Sequence, residues 1–200
     1  MDPKHLIETF GTIGLFAIVF AESGLLIGFF LPGDSLLFTA GLLASQHVLN
    51  LPVILVGCFL AAVAGDQVGY MFGARVGPAL FKRPDSRLFR QTYLEKAHQY
   101  FEKQGPKTIL LARFIPIVRT FAPILAGVGK MPYRTFVTFN LVGGFLWAEG
   151  VTLLGYYLGK SIPNVDKYLL PVVAVIVAVS FVPVFLEIRK LRRESAAARE

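Results

Sequence analysis

Charge is scarce in this chain. Of its 200 residues 16% are charged and 54% hydrophobic, and the mean hydropathy is +0.60. Soluble domains carry nearer a quarter charged residues, so the composition argues against a soluble globule and for an integral membrane protein. Cysteine is almost missing. Cys58 alone allows no internal disulfide and no thiolate pair for a metal, and its apolar surroundings read as packing. The three histidines, His5, His47 and His98, lie in polar flanks or a loop, and no HExxH sequence occurs; neither a metal nor a cofactor is expected. No signal peptide is expected either, because Asp2 and Glu8 interrupt the first ten residues and no small-residue cleavage site follows a short apolar core. Cations are nearly absent from the first 70 residues, where Lys4 stands alone.

What the chain has instead is long apolar runs, at 11–31, 51–64, 135–148 and 168–186. Two of them, 11–31 and 168–186, approach the roughly 20 residues of a bilayer-spanning helix. The net charge of +7 is concentrated: eight Lys/Arg fall between Arg75 and Lys107, and five between Arg189 and Arg199. A nucleic-acid patch would also be basic, but in so apolar a chain the positive-inside rule is the better reading. The basic segments are therefore expected on the cytoplasmic side, near anionic inner-leaflet lipids, with no nucleic-acid partner. On that basis the run from Leu51 to Phe72 enters the cytoplasm, the run from Pro132 to Leu158 leaves it, and 168–188 returns to put the C-terminus inside.

Two segments do not fit as crossings. Residues 108–128 have Lys103 and Lys107 on one flank and Lys130 and Arg134 on the other, so a span would strand one pair of cations. A re-entrant hairpin turning near Pro116 avoids this. In the first third the apolar run breaks at Leu31-Pro32-Gly33, with about ten apolar residues before Ser45-Gln46-His47. That is too short to cross, so a second hairpin is expected, entering from outside. Proline and glycine are the natural breakers at both tips. The sequence also echoes itself: GYMFGARVGP (69–78) against GYYLGKSIP (155–163), an offset of 86 residues, and Pro32 then Ala40-Gly41 against Pro116 then Ala126-Gly127. The expected fold is an all-α integral membrane protein of two inverted repeats, each a re-entrant helical hairpin plus a transmembrane helix. The first repeat covers about 10–78 and the second about 107–163. A linker at 79–106 joins them; Thr92 with Glu95 gives it a capping box, and it reads equally as an interfacial amphipathic helix or a solvated one. A C-terminal transmembrane helix at about 167–188 and a basic tail at 189–200 complete a single membrane domain, which is compatible with a homo-oligomer.

Six ionisable residues fall within the apolar segments: Glu22, Asp34, Asp66, Arg113, Arg119 and Glu149. Each costs roughly 2.5–3.5 kcal/mol at a bilayer centre on insertion scales. Six together would approach 15–20 kcal/mol, above the 5–15 kcal/mol stability of a typical domain. They must pair with one another or line a wet cavity. A packing clamp, with Arg113 and Arg119 on Glu22 and Asp34, is the bland possibility, although buried ion pairs are poor stabilisers. Function is favoured for those four. Asp66 and Glu149, beside Gly65 and Gly150, are secondary candidates whose alternative partners are backbone or tyrosine groups. Guanidinium is a planar fork of donors suited to phosphate, so Arg113 and Arg119 near a hairpin tip could cradle one anionic group. Burial disfavours an ionised carboxylate, so Glu22 and Asp34 can serve as a proton relay.

At these residues the chain resembles the DedA family of bacterial inner-membrane proteins. The resemblance rests on Glu22 ahead of FLPGDSLL (30–37), on FGARVG (72–77) and on RFIPIVRTFAPILAG (113–127), and it extends over nearly the whole chain. It implies a lipid transporter with re-entrant hairpins in the bacterial plasma membrane. The implied cargo is undecaprenyl phosphate or a phospholipid such as phosphatidylethanolamine, with proton-dependent support of envelope homeostasis. By motif match the family's acidic pair corresponds to Glu22 and Asp34 and its arginine pair to Arg113 and Arg119. The expected function is thus a proton-linked flippase for a lipid with a phosphate headgroup, not an enzyme. The rivals are a proton-coupled cation or drug exchanger, a lipid phosphatase (disfavoured by the lack of a nucleophile or metal set) and a non-catalytic assembly factor.

Overall fold

The structure, a computed structural model, describes residues 3–25, 32–80, 105, 107–113 and 116–161, with backbone only for 3–10, 77–80 and 116–117. Every described element is an α-helix: α1 (Pro3–Gly24), α2 (Gly33–Ser45), α3 (Leu51–Leu80), α4 (Lys107–Ala112), α5 (Pro116–Val128) and α6 (Tyr133–Ser161). The breaks fall where the sequence has its breakers. Pro32 precedes the first residue of α2, and Arg113 stands in the interruption between α4 and α5, which resumes at Pro116. Most of the linker at 79–106, the C-terminal helix at 167–188 and the tail lie outside the described residues.

Two stretches of the chain follow the same plan. α2 and α5 are each 13 residues long. Each ends with a non-glycine residue in the left-handed conformation, His47 (φ 59°) and Lys130 (φ 54°). In each, the following amide reaches back across the last turn, Val48 N–H to the Leu43 carbonyl and Met131 N–H to the Ala126 carbonyl. This closes the orphaned carbonyls of a helix end. A long helix follows in both cases, α3 of 30 residues and α6 of 29. Residues 51–76 of α3 and all of α6 are long and apolar enough to cross a membrane.

The packing exchanges these parts: α2 docks on α6, and α5 docks on α3, which α1 also packs against. Glycines bring backbone against backbone. A Cβ at Gly41 would collide with the Thr152 carbonyl and one at Gly155 with the Phe38 carbonyl. In the other pair a Cβ at Gly127 would collide with the Tyr70 carbonyl and one at Gly73 with the Ile124 carbonyl. Close approach through small residues is how helices associate where lipid removes the hydrophobic drive. Gly41 and Gly127, like Phe38 and Ile124, are 86 residues apart, the offset of the sequence echo.

The polarity runs opposite to that of a soluble protein. Val53, Val56, Leu60, Val68, Met71 and Phe72 lie exposed along α3, and Leu141, Val142, Phe145, Leu146 and Leu154 along α6. Such a patch would be an aggregation liability in water and is the expected surface in lipid. Inside lie Glu22, Asp66, Arg113, Arg119 and Asn140, all buried.

Candidate functional site

Trp147 is the middle residue of α6, roughly 21 Å from either end at 1.5 Å per residue. Asp66 lies at a comparable depth along α3. Around these two points the helix breaks gather the remaining charges into two adjoining stations.

At the first, Arg113 donates through Nη2 to Asp66 Oδ2 on α3 and to Asn140 Oδ1 on α6. Asn140 in turn donates to the Val63 carbonyl at 3.3 Å, which fixes its amide. Gly143 provides the space, since a Cβ there would press on the Arg113 side chain, and a Cβ at Gly144 would press on Val63 beside it. This station is sealed: the side chains of Arg113 and Asp66 are 5% and 6% exposed.

At the second, Arg119 donates through Nη2 to Glu22 Oε1 and through Nη1 to Asp34 Oδ1 at 2.6 Å. Glu22 ends α1 and faces the N–H of Gly33 at the start of α2, where unsatisfied amides and the helix dipole favour a carboxylate. A Cβ at position 33 would overlap the Glu22 carboxylate, so any side chain there must displace it. Asp34, in the first turn of α2, also accepts from Trp147 Nε1 at 2.7 Å. The Trp147 ring lies beneath both guanidiniums, 4.6 Å from that of Arg119 and 5.9 Å from that of Arg113, so cation–π attraction links the stations. Here one member is open: the Asp34 side chain is 45% exposed, whereas those of Arg119 and Glu22 are 6% and 3%.

The six charges singled out in the sequence divide unevenly. Glu22, Asp34 and Arg119 come together as expected. Arg113 pairs instead with Asp66, which corrects the four-residue clamp and puts Asp66, a secondary candidate, in an ion pair instead of on the alternative backbone or tyrosine groups. Glu149 stays apart, partly exposed on α6 on the side of Cys58, and has no ion pair among the described residues. Pro32 and Gly33 sit at the break before α2 and Pro116 begins α5. Trp147 and Asn140 were not anticipated, although a signal existed. Asn140, Gly143, Gly144, Trp147, Ala148, Thr152 and Gly155 form a small and polar stripe at helical spacing in an otherwise apolar helix, and all are buried. No group of metal-binding side chains occurs among the described residues.

A long-helix membrane protein with an ionic core at mid-helix is the class these features define. The VTT domain family matches residues 31–157. The chain is 47% identical to "Protein DedA" of Escherichia coli K12, across 98% of this chain and 91% of that protein. It is 44% identical to an uncharacterized membrane protein of Mycobacterium tuberculosis, across 96% and 88%, and 38% identical to "Inner membrane protein YqjA" of Escherichia coli, across 77% and 70%. No solved structure matches. The chain belongs to the DedA family of VTT-domain membrane proteins.

Proposed function

We propose that this chain is a proton-linked lipid transporter that moves an anionic lipid phosphate, most simply undecaprenyl phosphate, or a phospholipid across the bacterial inner membrane. The observation that carries this reading is the half-open ionic cluster at mid-helix. Three carboxylates, Glu22, Asp34 and Asp66, stand against two guanidiniums, Arg113 and Arg119. Fully ionised, the cluster has one negative charge too many. An arriving anion is repelled until one acid takes up a proton or swings away. Anion binding and proton uptake are therefore linked, with binding favoured as pH falls. Glu22 and Asp34 titrate and release the arginines, and Arg119, with Arg113 behind it, holds the phosphate by charge-assisted hydrogen bonds. The exposed apolar stripes of α3 and α6 suit an acyl or prenyl tail.

In this reading the breaks at Pro32-Gly33 and at Arg113 are tips of re-entrant hairpins, and the exchange of α2 and α5 between the long helices relates two inverted repeats. Interrupted helices meeting near the midplane are a recurrent transporter plan. The basic segments put the C-terminus in the cytoplasm, and the protein acts as a carrier, not an enzyme. The test is transport by the purified protein in proteoliposomes, comparing labelled lipid phosphate with small cations. Faster lipid-phosphate movement than in empty vesicles supports the reading. Cation flux without lipid movement would make it an exchanger, and release of inorganic phosphate would make it a phosphatase. Glu22→Gln leaves two acids against two arginines, so its transport should lose much of its pH dependence.

A further inference from the structure

The two stations differ in what can replace their acids. At the sealed one, Asp66 and Asn140 surround Arg113 inside the bundle, and Asp66 cannot leave without stranding a buried cation. At the open one, two donors from different helices, Arg119 Nη1 and Trp147 Nε1, converge on one oxygen, Asp34 Oδ1. Both donors are buried, while the acceptor they share belongs to a half-exposed side chain. A rotation of Asp34 toward its exposed side would vacate that point without moving either donor. Glu22 cannot make room in the same way, because it is buried against the start of α2 and its carboxylate fills the space beside Gly33.

We propose that the Asp34 carboxylate is a placeholder, that its seat between Arg119 and the Trp147 indole N–H receives the phosphate monoester group, and that Trp147 is one of the headgroup's ligands. The inference rests on the lipid-phosphate reading and names the seat within it. A monoester brings three terminal oxygens where the carboxylate brings two, so it can engage Arg119 Nη1 and Trp147 Nε1 through separate oxygens. The indole contributes something a third cation would not: a fixed, neutral donor that requires no counter-charge when the seat is empty. The guanidinium lying over the ring holds both donors in register.

Trp147 is the sole tryptophan of the chain, so intrinsic fluorescence reports this one position. The full-length protein in phosphatidylcholine nanodiscs is titrated with dihexanoyl phosphatidic acid, dihexanoyl phosphatidylcholine and inorganic phosphate. Binding is followed independently by phosphorus NMR. Phosphatidic acid should change the Trp147 emission saturably and phosphatidylcholine should not. An equal response to inorganic phosphate would uphold the seat while assigning it to the free ion. Trp147→Phe keeps the stacking ring and removes the N–H, and should weaken phosphatidic acid binding about ten- to a hundredfold with the unfolding temperature as a check on folding. Asp34→Asn removes the competing charge and should tighten binding about tenfold, an arm that survives if Trp147→Phe does not fold. Phosphatidic acid binding without an emission change, or with unaltered affinity in Trp147→Phe, overturns the seat and leaves the lipid reading standing. No phosphatidic acid binding by the wild type overturns both.

Discussion

Arg113 and Arg119 are six residues apart, the first in the break after α4 and the second in α5, yet they stand in opposite surroundings. Arg113 is enclosed by an acid and an amide from the two long helices. Arg119 holds two acids from the first pair of helices, one of them open to the outside. The same residue type thus serves as a fixed joint in one place and as an exchangeable contact in the other. The difference comes from the partner's burial, not from the arginine. A buried pair that loses one member strands a charge, whereas a half-exposed acid can be replaced by water or by another anion.

That contrast can be broken most forcefully at Asp66. Asp66→Ala leaves Arg113 uncompensated and should lower stability by about 3–5 kcal/mol, read as thermal unfolding in detergent; a loss under about 1 kcal/mol would show that Arg113 is not held as described. Next in size is the backbone contact between α2 and α6. Gly155→Ala forces a Cβ onto the Phe38 carbonyl and should cost about 1–3 kcal/mol, while Gly150→Ala, with nothing within 4 Å, should not destabilise. Arg119→Lys replaces a fork with a point charge. It should slow lipid-phosphate transport about tenfold, equivalent to about 1.4 kcal/mol, while leaving the unfolding temperature close to that of the wild type. Asp34→Ala removes a half-exposed pair from an arginine that keeps Glu22, and should cost only about 0–1 kcal/mol of stability while reshaping the pH profile of transport. The smallest effect belongs to Glu149→Gln, within about 0.5 kcal/mol and without effect on transport, because Glu149 touches neither station.

Much of this was legible in the sequence wherever a single residue imposes a local rule. Pro32 stands immediately before α2 and Pro116 opens α5, where a proline fits a helix start. The long apolar runs declare α3 and α6. Pairing was harder, because it depends on helical phase. Asp66 and Glu149 look alike in sequence, each an acid beside a glycine, but the buried stripe of α3 passes through Cys58, Ala62, Asp66, Gly69 and Gly73. The buried stripe of α6 passes Glu149 by and runs through Gly144, Trp147, Ala148 and Thr152. Asn140 and Trp147 carry no formal charge, and a neutral amide or indole is cheaper to bury in an apolar helix, so neither stands out in the sequence as a buried ion does. The exchange of α2 and α5 between the long helices is a tertiary fact. The echo at 86 residues hinted at repetition but could not say which arm meets which helix.

Exchange at Asp34 requires water to reach an acid that lies against buried arginine at mid-helix. Asp34→Cys in sealed, reconstituted vesicles, treated with a charged thiol reagent that cannot cross lipid, tests this most directly, with the buried Cys58 of the wild-type protein as the internal control. Labelling of Asp34→Cys while wild-type Cys58 stays unreacted is the expected result. An introduced thiol as inert as Cys58 would mean that the cluster is closed to solvent and serves only as a clamp.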